Sequence, residues 1–357
     1  MEIMSLSLFK KTDVLGLDIG SNSVKIIQLA PTKKGWRLLN LGIVQLPPEA
    51  IVDGSIIDSM TVMSAVKDLV AQQGIKTKNC VSALTGHSVI IKKVNLPVMT
   101  EAELGESIQW EAEQYIPFPI TDVNIDFQIL GADTEGRGQM EVMLVAVKKD
   151  VINDYTNVIK EAGLLPVIVD VDSFALENMF EMNYSIAPNE NIAIVNIGAT
   201  ITSINVLRSG VTIFTRAIPL GGNQFTEEIQ KAIGISFKDA EAIKLGGEVS
   251  GIDAGGVPQV IERVSGNVAL EVKRSIDFFL GGAPGMFISK IYLSGGCTKT
   301  KGLPAIIQER TAIPIEMVNP FTNVEVSPKR FAPDYIKDIT PYFGVGVGLA
   351  IRKVGDK

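Results

Sequence analysis

The sequence predicts an α/β protein of two duplicated lobes, each a mixed sheet flanked by helices, with a small α+β subdomain inserted into the first. Three observations carry that expectation. The chain has 357 residues, well above the ~100 to 200 typical of one domain. Short apolar strand patterns alternate with helical periodicities along most of it. A strand, a glycine-containing turn and a second strand at 14–30 return at 191–207, with Leu17-Asp18-Ile19-Gly20-Ser21 matching Val195-Asn196-Ile197-Gly198-Ala199 at an offset of 178, half the chain.

Taken in order, Leu15, Leu17 and Ile19 alternate before the turn residues Gly20 to Ser23, which predicts a hairpin. A further strand at 36–45 ends before Pro47 and Pro48. Val62, Val66, Leu69 and Val70 then have the spacing of a helix over 61–73, closed by Gly74. Cys80 to Leu84 reads as a buried strand. Residues 89–165 form a unit of their own: Thr100 with Glu103 makes a capping box for a helix carrying Leu104, Ile108, Ala112 and Tyr115 on one face. Strands at 123–130 and 140–147 and a helix at 151–162 complete it. After the repeated hairpin, helices are expected at 224–233, 238–245 and 257–279, and a strand at 288–293 runs into Ser294-Gly295-Gly296.

Composition narrows the function. Hydrophobic residues make up 46% and charged residues 20%, which excludes a largely disordered chain. The net charge of −7 supplies no field for a nucleic-acid backbone. Cys80 and Cys297, with His87 as the sole histidine, cannot build a structural zinc site or a disulfide framework, so a reducing, cytoplasmic setting is expected. No apolar run approaches the ~20 residues of a membrane span, and residues 1–11 read as a frayed leader in the wrong order for a secretory signal.

Most catalytic templates fail: there is no GxxxxGK[ST], HExxH or GxSxG. Gly344-Val345-Gly346-Val347-Gly348 lacks the spacing of a dinucleotide loop and reads as a close-packed glycine face on a buried helix. What remains is three glycine turns, each following an apolar strand: Asp18 to Ser23, Asn196 to Thr200, and Ser294-Gly295-Gly296. Small-residue turns expose backbone N–H groups that cradle phosphate oxygens. Two such hairpins facing each other would clamp a phosphate chain, and Asp18 could hold Mg²⁺ through water.

Five segments, LGLDIGSNSVKII, the region of Val169 to Ser173, IAIVNIGATITSI, IYLSGGCTKTKGLP and ITPYFGVGVGLAIR, resemble in order the phosphate 1, connect 1, phosphate 2, adenosine and connect 2 motifs of the actin-like ATPase superfamily. The stretches PPEAIVDGSIID, GHSVIIKKVNLP, ESIQWEAEQYIPF, GGNQFTEEIQ and KRSIDFF resemble more particularly the PilM family of cytoplasmic actin-like proteins of type IV pilus assembly, relatives of the cell-division protein FtsA. The resemblance implies ATP with Mg²⁺ between the lobes. Gly20, Ser21, Asn22, Ser23 and Lys25 with Asn196, Gly198, Ala199 and Thr200 would then line the phosphates, and Asp18 the metal. Gly221, Gly222 and Asn223 would serve the phosphate and ribose side, Gly295, Gly296 and Thr298 the adenosine, and Glu271 and Arg274 the adenine or ribose.

It also implies a division into a first-lobe core (13–88, 166–190 and 340–357), the inserted subdomain (89–165), a second-lobe core (191–221 and 286–339) and a small second-lobe subdomain (222–285). The implied partner is the N-terminal cytoplasmic tail of PilN, gripped near Val89, Ile91, Ile108, Ala112, Tyr115 and Ile116. PilO through PilN, and PilC, PilB or PilT, would be met in the assembly at the cytoplasmic face of the inner membrane, where a ring or dimer could form. The alternatives are an FtsA-like membrane-associated polymer, disfavoured by the short polar tail at 351–357, and a small-molecule kinase of the same superfamily, for which no catalytic acid or base stands out. One departure from the pattern matters: phosphate 2 usually begins with aspartate, and here it begins with Asn196, which cannot add a second anionic group to the metal's water network. Slow or absent hydrolysis is therefore expected; Asp170 and Asp172 are the candidates to orient an attacking water, with a structural role the favoured reading of both.

Overall fold

The computed structural model describes residues 14–86, 88–131 and 138–356. His87, the leader at 1–11 and most of the loop between the strands of the inserted unit lie outside the described residues.

The alternating residues of the first hairpin form strands because both faces of the sheet are covered. Leu15, Leu17 and Ile26 are fully buried, as continuous apolar strands between helical layers must be. The resulting six-stranded sheet runs Leu165–Val171, Asn79–Leu84, Leu15–Ile19, Ser23–Thr32, Gly35–Gln45, Val324–Glu325. A five-stranded sheet runs Val211–Ile218, Thr202–Arg208, Asn191–Ile197, Lys290–Ser294, Ile315–Met317. Both have one plan: a strand paired antiparallel with its hairpin partner on one side and parallel with a crossover strand on the other.

The repeat is in register. Asp18 pairs with Lys25 and Asn196 with Ser203, so each residue of the second hairpin stands 178 after its counterpart. The turns match as well, since Gly20 N–H donates to the Ser23 carbonyl at 3.1 Å and Gly198 N–H to that of Ile201 at 2.9 Å.

The sheets meet over one shared core that includes Ile27, Leu41, Ile194, Leu207 and Phe343. Two helices, Asp172–Asn183 and Gly344–Ala350, pass through it. Every residue of the second is buried, and two of its glycines, Gly344 and Gly348, are required by contact. A Cβ on Gly348 would sit 1.7 Å from the Ala175 carbonyl oxygen, and one on Gly344 2.6 Å from Ser294 Oγ. The glycine run is thus a packing face, as its spacing suggested. At the end of this helix Arg352 pairs at 2.8 Å with the buried Asp170.

The inserted unit holds a three-stranded antiparallel sheet in the order Val89–Pro97, Gln139–Lys148, Val123–Gly131. Helix Glu101–Glu113 carries the expected capping box and buries Leu104, Ile108 and Ala112 against it. The opposite face of the helix presents Glu106, Trp110 and Glu113 to solvent, with Trp110 79% exposed. The helix expected to close this unit, Lys149–Glu161, packs elsewhere: Val151, Tyr155, Val158 and Ile159 join the first-lobe core of Leu15, Leu17, Val62 and Val66. Its Tyr155 hydroxyl donates to the Gly54 carbonyl at 3.1 Å.

Candidate functional site

A cleft of about 300 Å³ lies between the two sheets. Its floor is made by the two hairpin turns, which face each other so closely that Ser21 Oγ and Thr200 Oγ1 lie 2.9 Å apart. A third loop supports the second turn: Gly222 N–H donates to the Gly198 carbonyl at 2.9 Å and Asn223 N–H to that of Ala199 at 2.7 Å. Gly221 has to be glycine here, because a Cβ would lie 2.6 Å from the Ala199 oxygen. Backbone at Gly295 has φ +93° and its N–H donates to the Pro341 carbonyl at 2.9 Å, which lays the Ser294-Gly295-Gly296 turn across the cleft wall. A Cβ on Gly296 would strike the Tyr342 ring at 2.3 Å.

Charge is concentrated on the first-lobe side. Asp18 and Lys25, cross-strand neighbours in the hairpin, form an ion pair of 3.0 Å with both side chains largely buried. Asp172, at the start of its helix, also lines the cleft. Burial first, and then the charge of Asp18, hold the Asp172 carboxyl well above the usual carboxylate range, against the pull of Lys25 and a hydrogen bond from Thr85. On the second-lobe side Lys244 is 4% exposed and donates to Glu241 Oε2 at 2.5 Å and to Thr226 Oγ1 and the Gly222 carbonyl at 3.2 Å. A buried cation is tolerable only when so paired. Cys297 also lines the cleft, but burial pushes its thiol up to about 11, which leaves an inert neutral group.

Most residues singled out in the sequence come together here: Asp18, Gly20, Ser21, Asn22, Ser23, Lys25, Asn196, Gly198, Ala199, Thr200, Gly222, Asn223, Gly295 and Gly296 all line the cleft. Gly221 and Thr298 stand behind it, with the Thr298 hydroxyl donating to the Gly295 carbonyl at 2.7 Å. Glu271 and Arg274 do not line it; they pair with each other on helix Val257–Gly281, where Arg274 is exposed. The acidic and basic pair facing the cleft is instead Glu241 and Lys244, on helix Phe237–Lys244. Both pairs have i, i+3 spacing on amphipathic helices, so nothing local tells them apart. Of the two carboxylates that the sequence left between orienting a water and a structural role, Asp172 lines the cleft, and Asp170 pairs with Arg352. The residues expected to grip a peptide also divide: Ile108, Ala112 and Ile116 form the core of the inserted unit and are closed to a partner, whereas Val89, Ile91 and Tyr115 are half-buried.

Two sheets of one topology, closing through paired glycine turns on a cleft, define an actin-like fold. MreB 5 of Spiroplasma citri bound to AMPPNP shares that fold at a TM-score of 0.51, with 16% identity over 87% of this chain and 92% of that one. A family model gives a narrower match: one described as type IV pilus assembly protein PilM covers residues 16–354. A solved PilM-PilN type IV pilus biogenesis complex superposes at a TM-score of 0.86, with 30% identity over 96% of this chain and 99% of that one. The chain belongs to the PilM family of type IV pilus assembly proteins. Among curated relatives, the cell division protein FtsA of Bacillus subtilis is 23% identical over 257 residues, 64% of this chain and 57% of FtsA, so the likeness spans little more than half of that protein. No helix among the described residues is long and apolar enough to cross a membrane.

Proposed function

We propose that the chain is a nucleotide-binding scaffold of the type IV pilus assembly platform, taking ATP with Mg²⁺ in its cleft and the N-terminal cytoplasmic tail of PilN on its surface. The observation that carries the nucleotide reading is the pair of in-register turns bridged by Ser21 and Thr200, whose residues line the cleft from both sides with no β-carbon at Gly20 or Gly198. The residues present fit the group. Asp18 and Asp172 supply oxygen donors of the kind Mg²⁺ takes, one or two carboxylates with the rest water, and Lys25 stands beside Asp18 to meet phosphate charge. Bound Mg²⁺ would neutralise phosphate charge. Glu241 and Lys244 take the ribose side in place of Glu271 and Arg274, and Gly295, Gly296 and Tyr342 form the wall for the base.

Hydrolysis is proposed to be slow or absent, because Asn196 is neutral where its counterpart in the first turn, Asp18, is a carboxylate, so the second turn adds no anion to the metal's water network. The PilN reading rests on family membership and on the solved PilM-PilN complex. With Ile108, Ala112 and Ile116 buried, the tail is left the half-buried Val89, Ile91 and Tyr115, or the free edge of strand Val123–Gly131, where an extended peptide adds by backbone hydrogen bonds. Association with PilO through PilN, and with PilC, PilB or PilT, belongs to the same proposal, as does a peripheral position at the cytoplasmic face of the inner membrane. Pull-down by a synthetic PilN tail, with calorimetric titration of ATP in and without Mg²⁺, tests both halves. Absence of ATP binding ends the nucleotide reading, absence of capture ends the peptide reading, and phosphate release at ~1 per second or faster ends the claim of slow hydrolysis.

A further inference from the structure

Helix Asp172–Asn183 belongs to the first half of the chain, yet two side chains of the second sheet hold it. Asn205, 1% exposed, donates from Nδ2 to the Ser173 carbonyl at 3.0 Å, which fixes its amide with Oδ1 turned toward Thr212. Thr212, 3% exposed, lies 3.0 Å from that Oδ1 through its hydroxyl. The same hydroxyl oxygen makes a short contact with Glu177 Oε2, one turn along the helix from Ser173, and the Thr212 N–H donates to Glu177 Oε1 at 3.3 Å. The proton count does not close with an ionised carboxylate. Asn205 Oδ1 accepts only, a threonine hydroxyl has one hydrogen, and that hydrogen cannot serve two acceptors fully. The set is satisfied when Glu177 brings a proton of its own.

We propose that Glu177 is held as a neutral carboxylic acid at the junction of the two lobes, where it donates to Thr212 Oγ1 and locks the helix carrying Asp172 to the second sheet. The chain of donors then runs Glu177 to Thr212 to Asn205 to the Ser173 carbonyl, leaving first-lobe helix and returning to it through two second-lobe strands. The charged groups that face Glu177 favour the neutral form: Glu181 from its own helix and Asp170 from strand Leu165–Val171 both oppose ionisation, and the two strands packed against it present the uncharged Asn205 and Thr212. Burial acts in the same direction and is the largest cause, outweighing the hydrogen bonds with Thr212, which pull the other way. This junction stands apart from the phosphate turns, so the proposal holds whether or not the cleft binds nucleotide.

The sign of its pH dependence follows. A carboxyl that binds its proton more tightly when folded stabilises most below its unfolded pKa of ~4.3, and that stability is lost as pH rises toward the folded value. Glu177→Gln keeps a donor for Thr212 Oγ1 and an acceptor for its N–H. The denaturation midpoint of the native chain should therefore fall relative to that of Glu177→Gln as pH rises above about 4.3, the ordinary glutamate value. Infrared difference spectra at neutral pH should show a carboxylic acid C=O band that shifts in D₂O and is missing from Glu177→Gln. A variant less stable than the native chain at neutral pH would show that an ionised acceptor was required, and would overturn the proposal. If the variant does not fold, the infrared titration is made on Asp172→Asn, which removes the other raised cleft carboxyl: an acid band persisting near neutral pH supports the proposal, and its absence overturns it equally.

Discussion

Asn196 stands where the second turn repeats Asp18, a side chain of nearly the same shape but without the charge, set opposite Ser203 where Asp18 faces Lys25. Asp18→Asn should weaken ATP binding by about tenfold or more in the presence of Mg²⁺, roughly 1.4 kcal/mol, with a smaller change in its absence; isothermal titration in both conditions reads the difference. Asn196→Asp should raise ATP turnover above that of the native chain, because it restores a second anion to the metal's water network. Unchanged turnover would contradict the role proposed for Asn196. A third residue, Lys244, shows what local reading leaves out. Its neighbours Gly222, Thr226 and Glu241 are 22, 18 and 3 residues away in sequence, so its burial is a tertiary fact with no periodic signal.

At the level of elements, helix Gly344–Ala350 gives the sharpest test of the core. Gly348→Ala drives a methyl into the Ala175 carbonyl, which is backbone and cannot turn aside, and should cost about 3 kcal/mol in the midpoint of thermal or chemical unfolding. Gly346→Ala meets the movable Ile27 Cγ2 at 3.3 Å and gains helix propensity, so it should stay within about 1 kcal/mol of the native chain. Similar losses at both sites would contradict the crossing. Elements of this kind were legible in the sequence wherever one property marked them. Alternation gave both hairpins, the Thr100 and Glu103 pair gave its capping box, and the glycine spacing gave a packed helix. Partnership between elements was not legible. Helix Lys149–Glu161 has a clear apolar face, but periodicity does not say which core receives it. Strands Leu165–Val171 and Val211–Ile218 carry too little alternation to declare themselves, and Glu177 became notable only beside Thr212.

Across the whole molecule, the cleft takes its lining from both halves of the chain, so a ligand there should stabilise the lobes together. At one hundred times its dissociation constant ATP should add about 2.7 kcal/mol to unfolding, seen as a single upward shift in a calorimetric scan. Separate transitions for the two lobe cores, with one unmoved, would mean that the ligand touches one lobe alone. The proposed four-part division predicts in addition that the inserted unit responds separately, because its core of Leu104, Val142 and Leu144 is its own. Trp110 allows that to be followed without a label. The chain's two tryptophans differ in setting: Trp36 packs at the edge of the shared core, while Trp110 stands in water on the outer face of the inserted unit. With Trp36→Phe the remaining emission should be red-shifted and open to iodide quenching. It should turn blue and protected when a partner lies over that helix, and remain unchanged when one binds at a sheet edge.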